Sequence, residues 1–237
     1  MANPAPLPSA LSERLPDVDL LPDAAPVSVP GAGSTPPPAP EAEPAPTPPW
    51  SLPLLAGRLV EITGTQTPRL SLAVRTVVDA QMDAQPAAWI AVGGTSFHPP
   101  DAAAAGVDLA ALPVIDTPDA SAAARAADHL LRSGAFGLVV VDLPAGAGFT
   151  LPAQARLAGL ARHHRAVLLC LTRDAKKTAW PRAHAGALGS LVSLRAEGEI
   201  VRRGDGLFDC RVTASKDKRR GPGWTHEEIR RGPDGLR

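Results

Sequence analysis

The residues of this chain that could do chemistry begin at a strand-to-helix junction. Gly57-Arg-Leu-Val-Glu-Ile-Thr-Gly64 is followed by Thr65 to Arg69 and then by the apolar run Leu70 to Val78. Leu59, Val60 and Ile62 read as a short buried strand, and Gly64 permits a sharp turn out of it. Leu70, Ala73, Val74, Val77 and Val78 recur at helical spacing, so a helix follows. Strand, glycine turn and helix form the frame of a phosphate-binding loop, whose backbone N–H groups and lysine hold phosphate oxygens. That loop requires G-x-x-x-x-G-K-[ST]. Here Gly64 stands at the first glycine, Arg69 at the second, Leu70 at the lysine and Ser71 at the hydroxyl position. The sequence has the frame of a nucleotide site without its chemistry.

Two further groups carry charge in suggestive places. Gly137-Leu-Val-Val-Val-Asp142 is a continuous apolar run ending in a carboxylate. Such a run marks a central parallel strand covered on both faces, and Asp142 emerges at the C-terminal edge, where α/β sites lie. The second group is the basic stretch Arg173 to Gly189, holding Arg173, Lys176, Lys177 and Arg182 with Trp180. Cations beside an aromatic ring suit phosphate contact and base stacking. A basic hairpin, Lys216 to Arg220, lies further on.

The remaining candidates are weaker. His163-His164 sit at a predicted helix end between Arg162 and Arg165. They suit cationic capping of a helix C-terminus and lack a Cys or acid at ligand spacing. Ser71, Ser96 and Ser190 lack a nucleophile-elbow pattern. Cys170 lies in an apolar strand and reads as a buried inert thiol, and with Cys210 it fits a reducing cytoplasm.

Elements that position these residues can be read in order. Fifteen of the 27 prolines fall in residues 1–50, which read as a disordered Pro/Ala-rich tail. The folded part, residues 51–237, starts near Trp50. After the first strand and helix come a strand at Ala87–Val92, a short helix at Asp101–Gly106 and a strand at Leu112–Ile115. A helix capped by Asp119 runs to Ser133-Gly134, followed by the strand ending at Asp142. A helix at Leu151–His164 and a strand at Ala166–Thr172 come next. Leu191–Arg195, Glu199–Arg203 and Phe208–Ser215 then read as three strands in a meander. This order predicts an α/β domain with a mostly parallel sheet, flanking helices and an antiparallel C-terminal extension.

Formal net charge is zero, but residues 1–150 carry 6 Lys/Arg against 15 Asp/Glu, and residues 151–237 carry 18 against 9. The basic half is a candidate surface for nucleic acid or an acidic partner. An N-terminus without a basic start and apolar core predicts no secretory signal, and the absence of a long apolar run predicts no membrane span.

The ordered series resembles the ATPase core of the RecA recombinase, and more closely the shortened ImuA-type accessory proteins of damage-induced mutagenesis. The resemblance spans about residues 52–232. It rests on the Gly57–Gly64 strand and turn, Gly106-Val-Asp-Leu-Ala-Ala-Leu112, Arg132-Ser-Gly-Ala135 leading to a Walker B strand ending in Asp142, and Lys216-Asp-Lys218 with Pro222 four residues on. The departures are informative. Between Gly64 and Gln81 the chain is one residue shorter than the family pattern, so Arg69 stands for the second glycine or for the lysine. Ala91-Val-Gly-Gly-Thr95 lacks the acid that activates water in the family.

The resemblance therefore implies a catalytically degenerate accessory factor in DNA repair and damage tolerance, covering SOS mutagenesis and translesion synthesis, in a bacterial cytoplasm. Gly64, Arg69, Ser71 and Asp142 would be a nucleotide-binding remnant, with no catalytic residue, no resident cofactor and no metal. Arg173, Lys176, Lys177, Arg182, Lys216 and Lys218 would contact DNA or a RecA filament. Implied partners are the RecA filament, a translesion polymerase or its adaptor, and single-stranded DNA. The alternative is an active single-stranded-DNA-dependent ATPase with an atypical phosphate loop, using ATP and Mg.

Overall fold

A computed structural model of the chain describes residues 50–64, 66–94, 97–173 and 188–231. Contacts divide the chain into two units, Met1–Pro44 and Ala45–Arg237, and every described residue lies in the second. Within it, an eight-stranded sheet has the order β3-β2-β4-β5-β1-β6-β7-β8. Its strands are β1 (Arg58–Thr63), β2 (Ala87–Val92), β3 (Val114–Thr117), β4 (Leu138–Asp142), β5 (Val167–Leu171), β6 (Leu194–Gly204), β7 (Leu207–Asp217) and β8 (Thr225–Arg231). The first six pair in parallel, and β7 and β8 extend the sheet antiparallel. The helices are α1 (Leu52–Leu55), α2 (Gln66–Met82), α3 (Pro99–Ala104), α4 (Ala120–Ser133) and α5 (Leu151–His164).

Continuous apolar runs became the central strands because both faces are covered. All residues of β1, β2, β4 and β5 are buried. Side chains alternate between two apolar layers, as a two-residue period requires. Val60, Ile62, Trp89 and Leu169 join Ala73 and Val77 of α2 on one face. Leu59, Val139, Val141 and Cys170 join Leu131 of α4 and Leu157 of α5 on the other. The predicted punctuation of α4 holds. Asp119 Oδ1 accepts from the Ala122 amide at 2.7 Å, and Gly134 ends the helix at φ +68°.

Two charged residues of β1 are as buried as its apolar ones. Glu61 accepts from Arg195 Nε at 2.7 Å, Thr172 Oγ1 at 2.9 Å and the Leu188 amide at 3.0 Å. Arg58 donates to Asp217 Oδ1 at 2.5 Å and to Ser193 Oγ at 2.9 Å. A buried ion is tolerated only when paired and hydrogen-bonded. Each pair therefore fixes the alignment of β1 with its neighbours: Glu61 with β5 and β6, Arg58 with β6 and β7.

Three sequence expectations are corrected. The helix expected from Leu70 begins at Gln66, so the positions assigned to a loop are helical. The strand expected at Leu112–Ile115 is Val114–Thr117, because Trp89 to Val92 of β2 take Val114 to Thr117 as their partners. Leu191–Arg195 and Glu199–Arg203 are not separate strands: Leu194, Arg195 and Glu199–Arg203 belong to the single strand β6, residues 191–193 precede it, and the last strand is β8. Gly198, inside β6, marks a close approach and not a break: a Cβ there would stand 2.8 Å from Leu72 Cδ1 and 3.3 Å from Pro68 Cβ.

Candidate functional site

The C-terminal ends of the neighbouring strands β4, β5 and β1 converge on one spot. β4 ends in Asp142, β5 leads to Thr172 and Arg173, and β1 leads through Gly64 into α2. The first turn of α2 turns Arg69 inward, and its side chain is completely buried. Arg69 Nη1 lies 3.5 Å from Asp142 Oδ1. Among the described residues none of the three Arg69 side-chain nitrogens has a hydrogen-bond partner. Burial pushes the guanidinium below its ordinary range, Asp142 opposes that, and nearby Arg173 adds to it. The Asp142 carboxylate and Arg69 are held together mainly by charge, in a place without bulk water to screen them.

The turn that delivers Arg69 is short. β1 ends at Thr63 and α2 begins at Gln66, so two residues separate strand from helix. Gly64 takes φ +116°, and a Cβ on it would lie 3.5 Å from Glu197 Cγ and 3.7 Å from the Gly198 carbonyl oxygen. Glycine is needed at Gly64 for its dihedral angle, while β6 occupies the space in front of it. Ser71 does not belong to this group. It is exposed and lines a separate cavity with Leu70 and Val74. Residues two apart on a helix point to nearly opposite sides at about 100° per residue, so Arg69 and Ser71 cannot face the same ligand.

The basic candidates divide. Arg173 is half-buried beside Arg69, and its buried Nε has no hydrogen-bond partner among the described residues. Lys176, Lys177 and Arg182 lie outside the described residues. Lys216 Nζ donates to the Ser190 carbonyl at 2.9 Å. Burial, followed by Lys218 and Arg195, pulls the Lys216 ammonium below its usual range. Lys218 is exposed, and its amide donates to the Ser193 carbonyl at 3.0 Å. Because the Ser193 amide bonds to Leu59, Lys218 sits level with the N-terminal end of β1, a strand length from Arg69 and Asp142.

Sequence reasoning missed several features. Arg58 and Glu61 interrupt an apolar strand, and a charge there was a signal that buried partners had to exist. Trp224 donates to Asp217 Oδ2 at 3.0 Å, joining the Arg58 pair. A cavity of about 750 Å³, walled by Trp50, Leu70, Val74, Trp89, Phe97 and Phe208, carried no local signature because its walls come from distant segments. Among the described residues no cluster of three His, Cys, Asp or Glu side chains could hold a metal. No helix there is long and apolar enough to cross a membrane.

ATP and Mg, the ligands implied by the RecA resemblance, do not fit this arrangement. The segment that would wrap a phosphate is helical from Gln66, Pro68 has no amide hydrogen to give, and Arg69 covers the approach to Asp142.

No family model matches this chain, and no curated protein matches it in sequence. Solved structures do: 348 chains match, and a fold so widely shared cannot by itself specify an activity. One of them is the crystal structure of the RadB recombinase, at a TM-score of 0.55 and 16% identity over 73% of this chain and 86% of that one. The sheet order, the flanking helices and this likeness together give the chain a RecA-like α/β fold.

Proposed function

We propose that this chain is a non-hydrolysing RecA-like accessory factor of DNA repair and damage tolerance, of the ImuA type, that works by contact. The observation carrying this reading is Arg69, whose guanidinium lies against Asp142 where a RecA-type ATPase keeps phosphate and metal. In-line phosphoryl transfer depends on positioned phosphates and a bridging metal, and the two-residue turn at Gly64 offers neither a cradle nor room. The contact surfaces in this reading are the segment beginning at Arg173, with Lys176, Lys177 and Arg182, for single-stranded DNA, and Lys216 with Lys218 for a RecA filament. A translesion polymerase or its adaptor is the third partner class.

The test has two arms. In the first, ATP–Mg is added to the full chain during urea unfolding. A ligand at a hundred times its Kd would add about 2.7 kcal/mol, and the expected shift is nil. A rise of that size, or turnover stimulated by single strands, would establish the working-ATPase alternative. In the second arm, Lys216→Glu/Lys218→Glu is expected to weaken co-sedimentation with RecA–DNA filaments. Unchanged co-sedimentation removes filament docking from the proposal.

A further inference from the structure

The N-terminal edge of the sheet, opposite Arg69 and Asp142, carries a cluster of positive charge. Two segments meet there. One is the end of α5, with Arg162, His163 and His164 in its last turn and Arg165 as its left-handed cap at φ +56°. The other is the turn from β7 to β8, bearing Lys218, Arg219 and Arg220. They meet across Gly57, whose amide donates to the Ala166 carbonyl at 3.0 Å. A Cβ on Gly57 would lie 3.6 Å from Arg162 Cα and equally 3.6 Å from Arg219 Nη2. Arg162, Arg165, Arg219 and Arg220 are all exposed. Among the described residues none of them makes an ion pair with a carboxylate.

The local acid does not balance this charge. Asp217 is buried and already carries Arg58 at 2.5 Å. It spends its remaining capacity on the turn itself, accepting from the Arg219 amide at 2.8 Å, the Arg220 amide at 3.3 Å and Trp224 Nε1 at 3.0 Å. Those bonds fix the backbone that presents Arg219 and Arg220. The C-terminal dipole of α5 supplies about half a negative charge, against four guanidinium groups. Arg219 registers the imbalance: burial and then Arg58 pull it below its ordinary range, and Arg162 and Arg165 add to that, with Asp217 the single opposing group. Helix capping accounts for one of these cations and leaves the rest without counter-charge.

We infer that this edge binds the phosphate backbone of duplex DNA. Guanidinium groups on fixed backbone match phosphate oxygens in paired geometry. No Phe or Trp stands exposed among them, since Trp224 is half-buried and bonded to Asp217. Single-strand binding relies on such stacking platforms, whereas duplex binding needs only placed cations. The β7–β8 turn also bears Lys218 of the proposed filament contact, but the inference rests on the four arginines and depends on neither the filament nor the single-strand contact.

The test is fluorescence anisotropy with the full chain, a short labelled duplex, the matching single strand and a poly-glutamate peptide over a salt series. Arg162→Gln/Arg165→Gln/Arg219→Gln/Arg220→Gln is expected to weaken duplex binding about tenfold or more at low salt. It should also flatten the slope of log K against log salt by about 3.6 units, near 0.9 per lost phosphate contact. Arg162→Gln/Arg220→Gln leaves Arg219 packed on Gly57 and should flatten it by about half as much. Lys176→Gln/Lys177→Gln/Arg182→Gln should leave the duplex slope alone, so failure here is distinguishable from failure of the single-strand reading. Superimposable duplex titrations for wild type and both edge variants would overturn the inference. So would an equal or greater loss of poly-glutamate binding, which would make the surface a seat for an acidic protein segment.

Discussion

Separating Arg69 from Asp142 tests the central feature of the candidate site. Arg69→Met removes the cation and keeps the length of the stem; Asp142→Asn removes the anion and keeps its shape. Nη1 and Oδ1 are 3.5 Å apart with both side chains almost wholly inside. At an effective dielectric near 20 their attraction is about 5 kcal/mol, similar to the several kcal/mol that desolvating each ion costs. The intact pair therefore contributes little net stability. Removing either member leaves the other charged and buried, which costs about 3–5 kcal/mol. The double variant removes both charges together, so it should cost less than the sum of the singles by about 1–3 kcal/mol. Urea unfolding of all four proteins at pH 7, with slopes checked for constancy, measures this. Single losses under about 1 kcal/mol, or additivity within about 0.5 kcal/mol, would refute the reasoning and show that water reaches Arg69.

Three further outcomes follow from particular contacts. Gly198→Ala should destabilise by about 1 kcal/mol, because Leu72 Cδ1 at 2.8 Å can turn aside but Pro68 Cβ at 3.3 Å yields less; an unchanged urea midpoint would mean that Leu72 and Pro68 make room for a methyl freely. Burial pushes the Asp217 carboxyl up, but Arg58, the Arg219 amide and Trp224 together bring it below the usual carboxylate range. Its stabilising contribution is thus present above the unfolded pKa near 3.9 and is lost as pH falls through the lower folded value. Asp217→Asn should flatten the stability-against-pH curve below about pH 4, and parallel curves for the two proteins would sink the assignment. Burial, followed by Glu61, holds the Cys170 thiol well above its ordinary range, whereas Cys210 is half-buried. A thiol reagent should modify Cys210 in the native chain and reach Cys170 only on unfolding; equal native rates at both would contradict the packing of β5.

Much of the scaffold was legible because its signals are local. β2, β4 and β5 announce themselves as apolar runs, and α4 carries both its Asp119 cap and its Gly134 stop. What was not legible depends on partners distant in the chain. Nothing near Gly198 says that Leu72 will occupy the place of its side chain, so the expected strands stop on either side of it although it lies inside one strand. The site was half legible. The residues around Arg69 showed which groups a phosphate loop lacked there. That Arg69 turns inward against Asp142 depends on where α2 starts, and helix starts are set by tertiary packing as much as by sequence. Pro68 gave a usable hint, since proline is tolerated in the first turn of a helix and unfavourable beyond it.

The early start of α2 has a consequence for how the molecule responds to ions. A carboxylate at the end of a central strand, 5% exposed, requires positive charge nearby whether or not a ligand is bound. In an ATPase of this fold a bound cation contributes that charge and leaves with the product. Here Arg69 contributes it through a covalent side chain, so charge balance at Asp142 is independent of solution conditions. Thermal unfolding should then have the same midpoint in EDTA and in millimolar Mg²⁺. Arg69→Met, which leaves Asp142 without its arginine, should gain a Mg²⁺-dependent rise in midpoint, because a cation that binds only the folded state stabilises it by mass action. A Mg²⁺-dependent midpoint in the wild-type chain that Asp142→Asn abolishes would place a metal at this carboxylate, and the reading of Arg69 as its permanent counter-charge would fail.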